Sequence, residues 1–199
     1  TAFTHSLAFC GALESLAGVT VPARAQYLRV IFSELERLAN HIGDVGLILL
    51  GTAFNFGSSQ GARLREEVLQ VHERLTDSRF LRGVNTIGGV TKDISNEHQA
   101  HLTQELDRIE KEFRGMMSVV DKSLIIANRL SGTGTLSMHV AKDLGAVGVV
   151  AKGSGLAIDS RKEFPYAAYP HLDFALATET GGDVSARFRV RVLEIYSTI

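Results

Sequence analysis

The chain has 199 residues, 45% hydrophobic and 22% charged, with a formal net charge of −1, the profile of an ordinary globular protein with enough length to bury a core as a single domain over 1–199. So balanced a charge gives no electrostatic case for nucleic acid or for an anionic membrane surface. One cysteine, Cys10, excludes an internal disulfide. The most apolar run, Val45 to Phe54, spans about ten residues where a membrane helix needs roughly twenty, so no span is predicted.

Thr4 to Leu16 reads as a first helix stopped by Gly18. In "TVPARAQYLRV" Thr20 is placed to cap and Pro22 to fill a first turn, where its missing N–H costs nothing. Apolar residues then recur at helical spacing (Leu28, Ile31, Leu35, Leu38, Ile42, Val45), with no proline before Asn55. This predicts one helix of about thirty residues. Past Asp44 the helix is apolar all round and is expected to be buried on every side. "NFGSSQGA" reads as a turn and "RLREEVLQVHERLTD" as a charged amphipathic helix. "FLRGVNTIGGV" has the glycines and β-branched residues of an irregular, strand-like crossing. Asp93 or Ser95 opens a long helix expected to run to about Ile126, with Leu102, Leu106, Ile109, Phe113, Met117 and Val120 inside. A short helix follows between glycine turns, then loop with a short hairpin over 151–183, and "SARFRVRVLEIYSTI" closes as a helix. The expected fold class is mainly α, an elongated helical bundle with short irregular β segments.

Within the long helix, "SELERLANHIGDVG" places Glu34, Arg37, His41 and Asp44 three and four residues apart, on one side and within reach of each other. Arg29, Ser33, Glu36 and Asn40 fall on the same broad side. The residues alone favour a solvated face, as in any amphipathic helix; a buried polar seam is the alternative. The remaining chemistry is thin. The seven histidines show no H-x-x-x-H or H-E-x-x-H, and His98 with His101 reads as an exposed pair. "GSGLA" and "GTGTL" follow no clear strand, so a phosphate loop is not indicated. Cys10 reads as a small core residue.

Several runs resemble a known superfamily: "HSLAFCGALE", "VPARAQYLRVIFSELERLANHIGDVG", "RLREEVLQVHERLTDSRFLRGVNTIGGV", "DSRKEFPYAAY" and "GDVSARFRVRVLEI". In this order they resemble the large catalytic subunit of membrane-bound [NiFe] hydrogenases of the formate hydrogenlyase and hydrogenase-4 type, and its homologue, the quinone-site subunit of respiratory complex I. The resemblance implies the hydrogenase large-subunit-like fold and a central fragment of a longer subunit. That agrees with a sequence that lacks a starting methionine and a basic, apolar leader. It also implies an iron–sulfur small subunit and membrane subunits as partners, and a peripheral place on the cytoplasmic side of the cell membrane. A glutamate, an arginine and a histidine recur in that family where Glu34, Arg37 and His41 stand, which favours a buried network: a Glu34–Arg37 ion pair with His41 near Arg37. His5 lies four residues after the place of a metal-binding cysteine, here Thr1, and is expected to be a supporting residue held by an acceptor. With that cysteine absent, residues 1–199 are expected to bind no nickel or iron themselves, and a nickel–iron centre would belong to the longer protein. The alternatives are a complex I-type subunit shaping a quinone pocket and a non-catalytic scaffold that keeps only its packing and partner surfaces.

Overall fold

A computed structural model describes all 199 residues. Helix α1 (Ala2–Ala17) ends at Gly18, whose φ of 65° is the left-handed conformation that closes a helix without steric cost. Helix α2 (Ala23–Gly51) is one unbroken 29-residue rod. Its start differs from expectation. Pro22 itself occupies the N-cap position, in extended conformation, and Thr20 makes no cap hydrogen bond. Helix α3 (Asn55–Thr76) begins inside the predicted turn. Its early glycines serve packing rather than turning: a Cβ on Gly61 would stand 2.7 Å from the Cα of Gly46, so the two bare backbones let α2 and α3 cross closely.

Residues 77–95 carry the strand-like crossing as a two-stranded antiparallel hairpin, β1 (Asn85–Thr86) and β2 (Gly89–Val90), with Asn85 opposite Val90. Helix α4 (Asn96–Val120) starts where Ser95 caps the amide of His98. It stops six residues before the expected Ile126, because Ser123 caps a separate helix, α5 (Leu124–Leu130). Two short helices, α6 (Met138–Asp143) and α7 (Gly148–Gly153), and the single turn α8 (Ser160–Glu163) follow. The expected hairpin over 151–183 is absent; α8 and a 3₁₀ turn at Tyr169–His171 stand in its place. Helix α9 (Val184–Thr198) opens on Asp183, which accepts the amides of Ala186 and Gly132.

The bundle is mainly α, as the periodicity predicts. One core joins Ile42, Val45 and Leu49 of α2 to Leu64 and Val68 of α3, Ile109 and Phe113 of α4, and Val192 and Ile195 of α9. A second surrounds Phe3, Phe32, Val71 and Leu81, and Leu106 packs against both. Cys10 is buried, in keeping with a small core residue. The far end of α2 is not buried all round: Leu47 is 66% and Leu50 50% exposed. No helix is long and apolar enough to cross a membrane.

Candidate functional site

Helix α2 carries two polar seams, and they face different neighbours. Arg29 and Glu36, grouped with the Glu34 stripe on the helical wheel, turn towards α1. Arg29 makes a bidentate pair with Glu14 of α1, at 2.9 and 2.7 Å, and donates to the carbonyls of Thr86 and Gly89 in the hairpin. Glu36 accepts the Phe3 and Thr4 amides at 2.9 and 3.0 Å, supplying the carboxylate that the open amides at the start of α1 need. These contacts lock α1 and the hairpin onto α2. The face is buried, not solvated.

The second seam holds the stripe. Arg37 Nε stands 3.0 Å from Glu34 Oε2, out of line for a hydrogen bond, and Nη1 lies 3.6 Å from Glu194 Oε2. His41 Nε2 meets the same Glu194 oxygen at 2.5 Å, so Glu194 of α9 is what joins His41 to Arg37. Lys152 of α7 donates to the other Glu194 oxygen and to Asp159. Asp159 is gripped twice by Arg161, at 2.9 and 2.8 Å, and Arg161 reaches back to Glu34 at 3.2 Å. The contacts close into a ring of alternating sign: Glu34, Arg37, Glu194, Lys152, Asp159, Arg161 and Glu34 again. Tyr169 and Thr198 also donate to Glu34. The Arg161 guanidinium lies 4.5 Å over the Phe174 ring, which shields it from water.

Burial makes these contacts matter. Glu194, Lys152 and Asp159 are 2%, 3% and 6% exposed. Burial alone would raise the carboxyl pKa of Glu194. Hydrogen bonds from His41 and Lys152 outweigh it and hold the group down at about 2. Asp159 is likewise desolvated, yet Arg161 and Lys152 keep it well below the usual carboxylate range. Tyr169 goes the other way: burial, then the Glu34 carboxylate, push its phenol far up, so it remains a donor. Asp159 and Glu194 are therefore held as carboxylates within the ring, and one imidazole, His41, is hydrogen-bonded to it. A cleft of about 420 Å³ opens over the ring, lined by Arg37, Lys152, Asp159 and Glu163 and rimmed by Val147, Ile158 and Phe164.

Three of the four residues of the helical stripe, Glu34, Arg37 and His41, are thus brought together. Asp44 is drawn off to Arg191 at 2.9 Å. His5 is not part of the ring. It is exposed, its ring has no hydrogen-bond acceptor, and it lines a separate cavity beside Glu36, Arg65 and His72. The expectation of a held imidazole is corrected: the first turn of α1 is fastened through Phe3 and Thr4, and His5 points off that contact. Helical spacing does not reach Lys152, Asp159, Arg161, Tyr169 and Glu194. A signal for them is nonetheless present: four of them lie in "DSRKEFPYAAY" and "GDVSARFRVRVLEI", and Glu194 interrupts the apolar pair Leu193 and Ile195.

Known proteins resemble this chain over most of its length. The family model described as respiratory-chain NADH dehydrogenase, 49 kDa subunit, matches residues 51–199. The chain is 33% identical over 197 residues to formate hydrogenlyase subunit 5 of Escherichia coli (strain K12), covering 99% of this chain and 35% of that protein. It is 36% identical to the carbon monoxide-induced hydrogenase of Rhodospirillum rubrum, covering 98% and 55%. It is 30% identical to an NADH-quinone oxidoreductase subunit of Chloroherpeton thalassium, covering 99% and 45%. In three dimensions it superposes with TM-score 0.86 and 26% identity on a chain of the membrane-bound sulfane sulfur reductase, an archaeal respiratory membrane complex, covering 93% of this chain and 50% of that one. The chain thus spans about a third to a half of its relatives' lengths. Through the matched span, from the end of α2 to the last turn of α9, it belongs to the family of the respiratory-chain NADH dehydrogenase 49 kDa subunit.

Proposed function

We propose that residues 1–199 form the central helical part of the large subunit of an energy-converting redox complex of the [NiFe]-hydrogenase type, where protons and electrons are handled together. The observation that carries this reading is the buried ring with His41 on Glu194. Fixed charges set the potential around a single imidazole, and an imidazole is the side chain suited to exchanging a proton near neutrality. The likeness to formate hydrogenlyase subunit 5 and to the carbon monoxide-induced hydrogenase supports the hydrogenase type. An iron–sulfur small subunit and membrane subunits are the partners proposed, on the cytoplasmic face of the membrane; the relative found within a respiratory membrane complex supports a multi-subunit setting.

The residues of this chain do not themselves fit a nickel–iron centre. Such a centre asks for soft thiolate ligands, whereas Cys10 is buried and no three histidine, cysteine or acidic side chains converge for a metal. The 49 kDa family match and the likeness to a quinone oxidoreductase subunit favour a second reading: a complex I-type subunit that helps to shape a quinone pocket. The test is to purify the complex containing the full-length subunit and assay hydrogen evolution from reduced viologen beside quinone reduction. Hydrogen evolution supports the first reading. Quinone reduction without hydrogen evolution supports the second. Neither activity in an assembled complex leaves the scaffold.

A further inference from the structure

We propose that the cavity between the start of α1, the middle of α2 and the end of α3 is a binding site for a small oxyanion. It measures about 420 Å³ and is lined by His5, Glu36, Asn40, Arg65, His72, Arg79, Phe80 and Arg82, a size that suits a small ligand.

Several of these charges are already paired within the protein. Both oxygens of Glu36 are taken by the Phe3 and Thr4 amides and the Thr4 hydroxyl. Arg79 is held by Glu66 and lies near Glu73. Arg65 has no such partner. The acids closest to it along α3 are committed elsewhere, Glu66 and Glu73 to Arg79 and Glu67 to Arg63 and Arg108. Arg65 is nevertheless half-buried and placed with care. Its side chain lies across α2 at Gly43, where a Cβ would stand 2.7 Å from Arg65 Cδ. A glycine thus opens the space in which a guanidinium lies with its planar donor face unused. Arg82 enters from the rim, its guanidinium 5.7 Å from the Phe80 ring and free of any carboxylate.

A second feature marks the floor. His72 is 1% exposed, and its Nδ1 contacts the Arg79 carbonyl at 3.0 Å. With Nδ1 on a carbonyl and burial favouring its neutral form, His72 adds no charge, so the two arginines carry the recognition. Two guanidinium forks suit the planar or tetrahedral oxygens of carboxylates and phosphates.

The test uses the full-length subunit, with inorganic phosphate and acetate titrated at constant ionic strength made up with potassium chloride. Calorimetry is run beside nitrogen-15 spectra of the arginine Nε–H groups. Saturable binding is expected, with the Arg65 and Arg82 Nε–H signals moving together. Arg65→Gln should weaken binding about tenfold or more, and Arg82→Gln less, as the more exposed fork. Arg65→Lys, which keeps the charge but not the fork, guards against a variant that fails to fold and should weaken binding without abolishing it. Absence of saturation by either anion overturns the proposal, as does binding that survives unchanged in Arg65→Gln.

Discussion

Lys152→Met is the sharpest perturbation of the ring. The Lys152 ammonium sits 2.5 Å from both Asp159 and Glu194, and at an effective dielectric of about 20 each contact carries about 7 kcal/mol of gross attraction. Desolvating the charges returns most of that, so the intact cluster contributes little net stability. Removing one member is different. Met fills much the same volume, but Glu34, Asp159 and Glu194 then face only Arg37 and Arg161, and a buried negative charge is left uncompensated. The expected loss is about 3–5 kcal/mol. Glu194→Gln alone leaves a positive excess and should also destabilise. The double variant restores balance and should cost less than the sum of the two by at least about 1–2 kcal/mol. Urea unfolding of the wild type, both single variants and the double variant measures this directly. A Lys152→Met loss below about 1 kcal/mol, or additivity within about 0.5 kcal/mol, refutes the ring as a coupled buried unit.

Acid should act on the same group. Because Glu194 falls from an ordinary value of 4.5 to about 2 in the folded state, the stability it contributes is present above about pH 4.5 and is lost as pH falls towards 2; at about 1.4 kcal/mol per unit this is about 3 kcal/mol. Stability curves between pH 6 and 2 should flatten in Glu194→Gln, and an unchanged acid limb contradicts this. Arg37→Ala should be milder than Lys152→Met, about 1–2 kcal/mol, since Arg37 is 22% exposed and its carboxylate contacts are out of line or long; a loss above about 3 kcal/mol in the same urea series shows tighter pairing. Arg29→Ala breaks a pair with side chains 4% and 8% exposed and frees the Thr86 and Gly89 carbonyls. It should cost about 3–5 kcal/mol and speed amide exchange of the hairpin before that of α9; uniform acceleration contradicts the assignment. Gly61→Ala pushes a methyl against the Gly46 backbone and should cost at least about 1–3 kcal/mol, read as a lowered midpoint in thermal melting.

How much was legible follows from the range of each signal. Helical periodicity is local, so α1, α2, α4 and α9 are readable within a few residues. Ser123 shows why the end of α4 was not: the apolar stripe runs on through Ile126, and only the cap separates α4 from α5. Gly57 and Gly61 read as turn residues because the reason for them, the approach of α2 to α3, is tertiary. In the site, the i, i+3 and i, i+4 spacing marks out the Glu34, Arg37 and His41 side of the ring. It could not give the other half, since Lys152, Asp159 and Glu194 lie more than a hundred residues away from that stripe and meet it only when α9 packs on α2 and α7 on α9. The same spacing misled for Arg29 and Glu36. They neighbour the stripe on the wheel, but their partners are in α1 and the hairpin.

His41, held on Glu194, is proposed as the proton-exchanging group of this part of the subunit. It is tested most directly by placing His41→Gln in the full-length subunit of the intact complex and measuring turnover against pH. His5→Ala serves as the comparison, and assembly is confirmed by co-purification of the other subunits. Glutamine keeps a donor for Glu194 but cannot exchange a proton, so turnover is expected to fall about tenfold or more, the usual worth of a positioned acid–base group. The rise or fall with pH near neutrality should flatten as well, while His5→Ala retains the wild-type profile. Wild-type turnover with an unaltered pH profile in assembled His41→Gln complex rules out this role for His41.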